Sequence, residues 1–220
     1  MNIKDLRQPI KDKCSNYVQF KMRKLRTSHV SGIALSFILW YIVFLTDILS
    51  SFWYRVTIAS IILAVYARMT SSDTPLKLER KDVIGGVGSG LGLYGSFFIG
   101  FNVFRFLVEH GAVDVYLFRT ELPLGVPALL LLVTSFCEEY FWRHYVQTAF
   151  DDKQGLRGVI ITSILYASIH IPTMNLPLVA AALIAGLFWG VLYKYTGSFW
   201  LVVFSHIVWT ELIFVFLPLV

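Results

Sequence analysis

The sequence is poor in charge and in cysteine. Only 15% of its 220 residues are Asp, Glu, Lys or Arg, whereas an ordinary soluble domain is nearer a quarter charged. It has two cysteines, Cys14 and Cys137. One lies in a basic segment and the other inside an apolar run, so no disulfide is expected, and Cys14 reads as a bystander thiol rather than a lipid anchor. No cysteine cluster offers a metal site. The alternating segments of about ten residues that mark a membrane β-barrel are missing. HExxH, which places two His on one helix face to chelate zinc, is missing too.

Long apolar runs are what the sequence does have. It is 56% hydrophobic, with a mean hydropathy of +0.66. Six or seven apolar stretches follow one another with short polar links, the signature of a polytopic α-helical membrane protein. The expected fold is all-α, with about seven transmembrane helices around a polar intramembrane cavity. The spans are read at roughly 30–50, 53–69, 83–108, 124–148, 158–171, 176–193 and 198–219. The polar stretch from His110 to Glu121 is read as interfacial. The fifth span is short for a crossing, which needs about 20 residues.

The net charge of +5 is unevenly spread. Lys4, Arg7, Lys11, Lys13, Lys21, Arg23, Lys24 and Arg26 all precede the first apolar run. Such a segment orients a membrane protein and is drawn to anionic lipid, so the expected partner is the bilayer and not nucleic acid. Residues 1–28 are read as a basic cytoplasmic segment and 29–220 as one transmembrane domain. Arg68, Lys77, Arg80, Lys81, Lys153, Arg157 and Lys194 fall on the same cytoplasmic side. The first apolar run starts too late for a typical cleaved signal peptide. Small size and the lack of a retention signal point to a prokaryotic plasma membrane.

Within the third span, GLGLYG formally matches a dinucleotide-binding fingerprint. That fingerprint needs a strand before it and a helix opening after it. Inside an apolar segment, the glycines of 85–95 are better explained by close helix packing.

Ionisable residues inside a membrane cost about 3 kcal/mol each on insertion scales, so each is a candidate functional group. The fourth span carries Glu138, Glu139, Arg143 and His144. Glu139 and Arg143 are four apart, stack on one helix face and can pair. Glu138 lies about 100° around the helix, and its own i+4 neighbour is the uncharged Trp142. Glu139 is thereby explained structurally, and Glu138 is left to act as a general base or acid. His170 closes the fifth span in YASIH, with Tyr166 one turn earlier. His206 lies in the seventh, in HIVWT, with Thr210 one turn later and Glu211 on another face. Any one of these His residues is most simply a hydrogen-bonded structural group. Three helices each carrying Glu or His point to one wet cavity.

These residues resemble a known family. EEYFWR (Glu138 to Arg143) fits the EExxxR motif of the intramembrane proteases that include the eukaryotic CAAX prenyl endopeptidase and the bacterial Abi, or bacteriocin-processing, proteins (the CPBP family). YASIH resembles its FxxxH motif, with Tyr166 where Phe is usual. HIVWT resembles its HxxxN or HxxxD motif, with Thr210 in the last place. The resemblance covers about residues 124–215. It implies a glutamate-type peptidase in which Glu138 and His170 activate water, His206 and Thr210 stabilise the oxyanion, and Glu139 and Arg143 hold the site, with Tyr166 supporting it. The substrate implied is a membrane-associated or lipidated protein or peptide. Thr210 departs from the pattern, since a hydroxyl reaches less far than an Asn amide.

Glu138, His170 and His206 would also make a zinc set with an open fourth position. The reading preferred here is metal-free. Two other classes stay open: a non-catalytic scaffold or immunity protein of the same fold, and a small proton-coupled transporter. Against the transporter, no internal repeat is seen.

Overall fold

The structure is a computed structural model, described for residues 25–71, 76–151 and 155–220. Nearly all of the basic N-terminal segment, with Cys14, lies outside the described residues. No strand occurs among the described residues.

Among the described residues eight helices follow in order: α1 Thr27–Leu45, α2 Phe52–Thr70, α3 Arg80–Val103 and α4 Arg105–Tyr116, α5 Gly125–Phe150, α6 Arg157–Ser168 and α7 Leu176–Thr196, and α8 Phe199–Phe216. Seven of them lie where apolar spans are expected, and α4 occupies the stretch read as interfacial. The expected count of about seven spans is approximate. Among the described residues, five helices, α1, α2, α3, α7 and α8, are long and apolar enough to cross a membrane; α4 with its extension to Thr120 and α5, bent by 110°, make a sixth if counted as one broken span. The shortfall lies in α6. Its 12 residues extend roughly 18 Å at 1.5 Å per residue, well short of a hydrocarbon layer of about 30 Å.

Local chemistry sets the helix ends. Ser51 caps α2, accepting from the Trp53 amide at 3.2 Å. Asn175 caps α7, accepting from the Leu178 amide at 3.0 Å. Gly197 ends α7 in the left-handed region, φ 63°, where glycine carries no Cβ penalty. The next residue, Ser198, caps α8 through the Leu201 amide at 3.1 Å and donates to Asp82 Oδ1 at 2.7 Å, tying α8 to the start of α3. Helix α6 ends before Pro172, whose ring cannot continue a helix; a 3-10 turn, Ile171–Thr173, follows.

The glycine-rich stretch of α3 is a packing face, as its apolar setting predicts. A Cβ on Gly86 would lie 2.5 Å from Phe204 Cβ, and one on Gly90 would lie 2.7 Å from the Ser205 carbonyl oxygen. Only glycine lets α3 and α8 approach this closely.

Two buried apolar clusters flank the centre. One gathers Trp40, Leu63, Phe141, Trp142 and Ile169. The other gathers Leu93, Trp189, Phe199, Val202 and Trp209. Large apolar side chains also cover the outside, Ile99 and Leu129 among them. In water such a surface would aggregate, whereas in lipid it is the expected exterior. The protein is an integral membrane protein.

Helix α4 has no buried residue and is strapped across one end of the bundle. Tyr116 donates to the Ile213 carbonyl at 2.9 Å and Arg119 to the Val215 carbonyl at 2.7 Å. Trp53 Nε1 donates to the Phe118 carbonyl at 2.7 Å. Glu121 accepts from the Phe52 amide at 2.7 Å, and Asn175 reaches the Gly111 carbonyl at 2.8 Å.

Candidate active site

The site grows from a change in helical winding. Helix α5 is regular through Glu139, then turns to π winding over Tyr140–Gln147. Helix α8 does the same directly after Thr210, over Glu211–Phe216. π turns are rare and recur at functional sites. Here one begins directly after Glu139 and the other directly after Thr210.

A cavity of about 110 Å³ lies between these helices, enough for several waters. Its wall includes Glu138, Tyr166, His170, His206 and Thr210, together with Thr134 and Ser135. The three motifs thus come from α5, from α6 with the turn after it, and from α8, and converge on one space. The rest of the wall is largely apolar, including Trp40, Phe52, Leu178 and Phe214, with Val115 and Phe118 on the α4 side.

Glu138 is buried. Its Oε2 accepts a hydrogen bond from the Tyr166 hydroxyl at 2.9 Å. Tyr166 belongs to α6, and His170 lies one turn further on in the chain. His170 Nδ1 lies 2.9 Å from the Tyr166 carbonyl oxygen. A carbonyl only accepts, so Nδ1 carries the proton and Nε2 keeps a lone pair.

Glu139 is the hinge of a second, drier layer. Its Oε1 meets His206 Nδ1 at 2.8 Å, and its Oε2 lies 3.3 Å from Arg143 Nε. The expected Glu139–Arg143 pair is present, but as a contact without a hydrogen bond. Among the described residues, Glu139 Oε2 and all three guanidinium nitrogens lack hydrogen-bond partners. The i, i+4 stacking rule assumes 3.6 residues per turn, and the π winding around Arg143 departs from it. The guanidinium lies instead over aromatic faces, 5.3 Å from the Tyr166 ring centroid and 6.0 Å from that of Trp189. Cations are favoured there by the ring quadrupole.

Sequence reasoning misses Trp189. It stacks on His206 at 3.8 Å between centroids and fixes the ring plane, while Glu139 fixes its rotation. Its Nε1 donates to Ser205 at 3.3 Å. A Trp inside an apolar span carries no signal that would separate it from core packing.

Thr210 lies in the cavity wall, but its Oγ1 is 2.9 Å from the His206 carbonyl oxygen and 3.1 Å from that of Ile207. Ser135 Oγ, also missed by the sequence reading, sits 3.3 Å from Thr210 Oγ1. His144 stays outside this layer, 3.2 Å from the Tyr193 hydroxyl. Among the described residues, Glu211 has no hydrogen-bond partner for either carboxylate oxygen. Also among the described residues, no three His, Cys, Asp or Glu side chains are grouped as a metal site.

Among the described residues this is a helical membrane protein whose cavity sets Glu, His and Tyr side chains in a largely apolar wall. Residues 120–211 match the model of a protease family, described as type II CAAX prenyl endopeptidase Rce1-like. The matched segment contains all three motifs, and it is the family that those motifs resemble. A match to a protease family supports a peptidase. Comparison with curated proteins and with solved structures found no match.

Proposed function

We propose that the protein is an intramembrane endopeptidase that cuts near the C-terminal end of a membrane-associated or lipidated protein or peptide. One observation carries this reading: Glu138, His170 and His206, from three separate chain segments, line one cavity.

In this mechanism Glu138 and the His170 Nε2 lone pair hold a water between them. The water oxygen attacks the scissile carbonyl carbon, and its proton passes to the Glu138 carboxylate. The carbonyl electrons move to oxygen. His206, protonated on both nitrogens, donates to Glu139 with Nδ1 and to the oxyanion with Nε2. When the tetrahedral centre collapses, the C–N bond breaks and the proton held by Glu138 goes to the departing amine. Fixed donors in a site shielded from water are the main source of stabilisation for such an intermediate. The reading uses no metal. It places the N-terminus in the cytoplasm, in a prokaryotic plasma membrane.

Purified protein in proteoliposomes, given a farnesylated fluorogenic CAAX-type peptide, tests the proposal. Cleavage that is lost in Glu138→Ala and in His170→Ala supports it; full cleavage by either variant rejects the mechanism. The position of the Thr210 hydroxyl, turned to its own helix, favours a second reading, a non-catalytic scaffold or immunity protein. A folded Glu138→Gln protein that keeps its biological phenotype selects that reading.

A further inference from the structure

The hydroxyl at position 210 is poorly placed for the oxyanion. A threonine has one hydroxyl proton. Both atoms next to Thr210 Oγ1 on its own helix are carbonyl oxygens, at 2.9 and 3.1 Å. Carbonyls only accept, so the proton of Thr210 is directed to the backbone of α8 and not to the cavity.

Ser135 is in the opposite situation. It is fully buried, lies in the wall of the cavity, and stands one turn before Glu138 on the same face of α5. Many serines of this protein bond back to their own helix, as Ser163 does to the Val159 carbonyl at 2.7 Å. Ser135 makes no such bond; among the described residues its single hydrogen-bond contact is Thr210 Oγ1, at 3.3 Å. With the Thr210 proton committed elsewhere, Ser135 must be the donor in this pair. At 3.3 Å the bond is long and weak for two hydroxyls. A proton so loosely held can rotate to a better acceptor in the same cavity.

We infer that Ser135 supplies the second oxyanion donor of the site, and that Thr210 acts as a positioning residue that holds the Ser135 hydroxyl until the oxyanion forms. The inference rests on the peptidase reading above. Attack by water on the scissile carbonyl places a negative oxygen in the cavity. The Ser135 proton leaves the neutral Thr210 oxygen for that anion, a stronger acceptor, and returns on collapse. No bond to Ser135 forms or breaks. The chain thereby replaces one Asn amide with two hydroxyls from two helices.

The test is steady-state cleavage of the farnesylated peptide by wild type, Glu138→Ala, Ser135→Ala, Ser135→Thr and the double variant Ser135→Ala with Thr210→Asn. Loss of an oxyanion donor costs roughly 10²–10³ in kcat. Ser135→Ala is expected to lower kcat by about 100-fold with KM nearly unchanged. Ser135→Thr, which keeps a hydroxyl, and the double variant, whose Asn amide reaches further, are each expected to recover at least about tenfold. A Ser135→Ala enzyme within about threefold of wild-type kcat overturns the inference while leaving the peptidase reading intact, provided Glu138→Ala is dead. Loss of activity that neither Ser135→Thr nor the double variant restores also overturns it and leaves Ser135 a packing residue. A wild type without Glu138-dependent cleavage overturns both readings.

Discussion

The phenol of Tyr166 donates to the carboxylate of Glu138 across 2.9 Å. One carboxylate oxygen is thereby held, and the other is left for water. The motif that YASIH resembles usually has Phe at this position. Tyr166→Phe removes the donor and keeps the ring beneath Arg143. Hydrogen bonds to charged groups contribute about 1.5–3 kcal/mol. We expect kcat to fall at least about tenfold, with little change in KM and the thermal unfolding profile retained. Unchanged kcat would show that packing alone orients Glu138.

Arg143 is fully buried beside Glu139. Removing one member of a buried charge pair leaves the other uncompensated and costs about 3–5 kcal/mol. Arg143→Ala should therefore lower thermal stability in detergent sharply. Arg143→Lys keeps the charge but loses the planar stacking over Tyr166 and Trp189, and should fall between the two. If Arg143→Ala melts like wild type, the pair is not a structural clamp.

Helices α3 and α8 meet at Gly86 and Gly90, where a Cβ would collide with backbone or Cβ atoms. Gly90→Leu should reduce the yield of folded, monodisperse protein. Gly88 and Gly92 have nothing within 4 Å of an added Cβ, so Gly88→Leu and Gly92→Leu should fold normally. Equal damage at all three positions would refute the packing assignment.

Peptide cleavage should persist after prolonged treatment with a strong zinc chelator, because the proposed nucleophile is a water held by Glu138 and His170. Loss of activity that returns only on adding zinc would reassign Glu138, His170 and His206 as ligands.

The positions of seven helical segments were legible as apolar runs. So was the three-motif set, because Glu, His and Arg are rare enough inside apolar runs to stand out. The face-sharing of Glu139 with Arg143 follows from helix geometry alone, and the glycines of α3 were readable as a contact face. Tyr166 was visible through its motif, but its bond to Glu138 was not. Ser135 and Trp189 left no mark. Lipid tails are as apolar as a protein core, so hydropathy does not separate a Trp that faces lipid from one that stacks on His206, nor does a small hydroxyl in an apolar run announce its partner.

By itself the sequence determined that the chain lies in a membrane and that its polar groups sit on particular spans, since burial of apolar helices and the spacing of residues along one helix are local properties. The tertiary structure decided how those groups meet. The packing of α5, α6 and α8 sets Tyr166 against Glu138, His206 against Glu139 and Ser135 against Thr210. Each of these pairs joins two helices, and the free energy that selects it comes from side-chain packing between them, which no run of residues read alone contains.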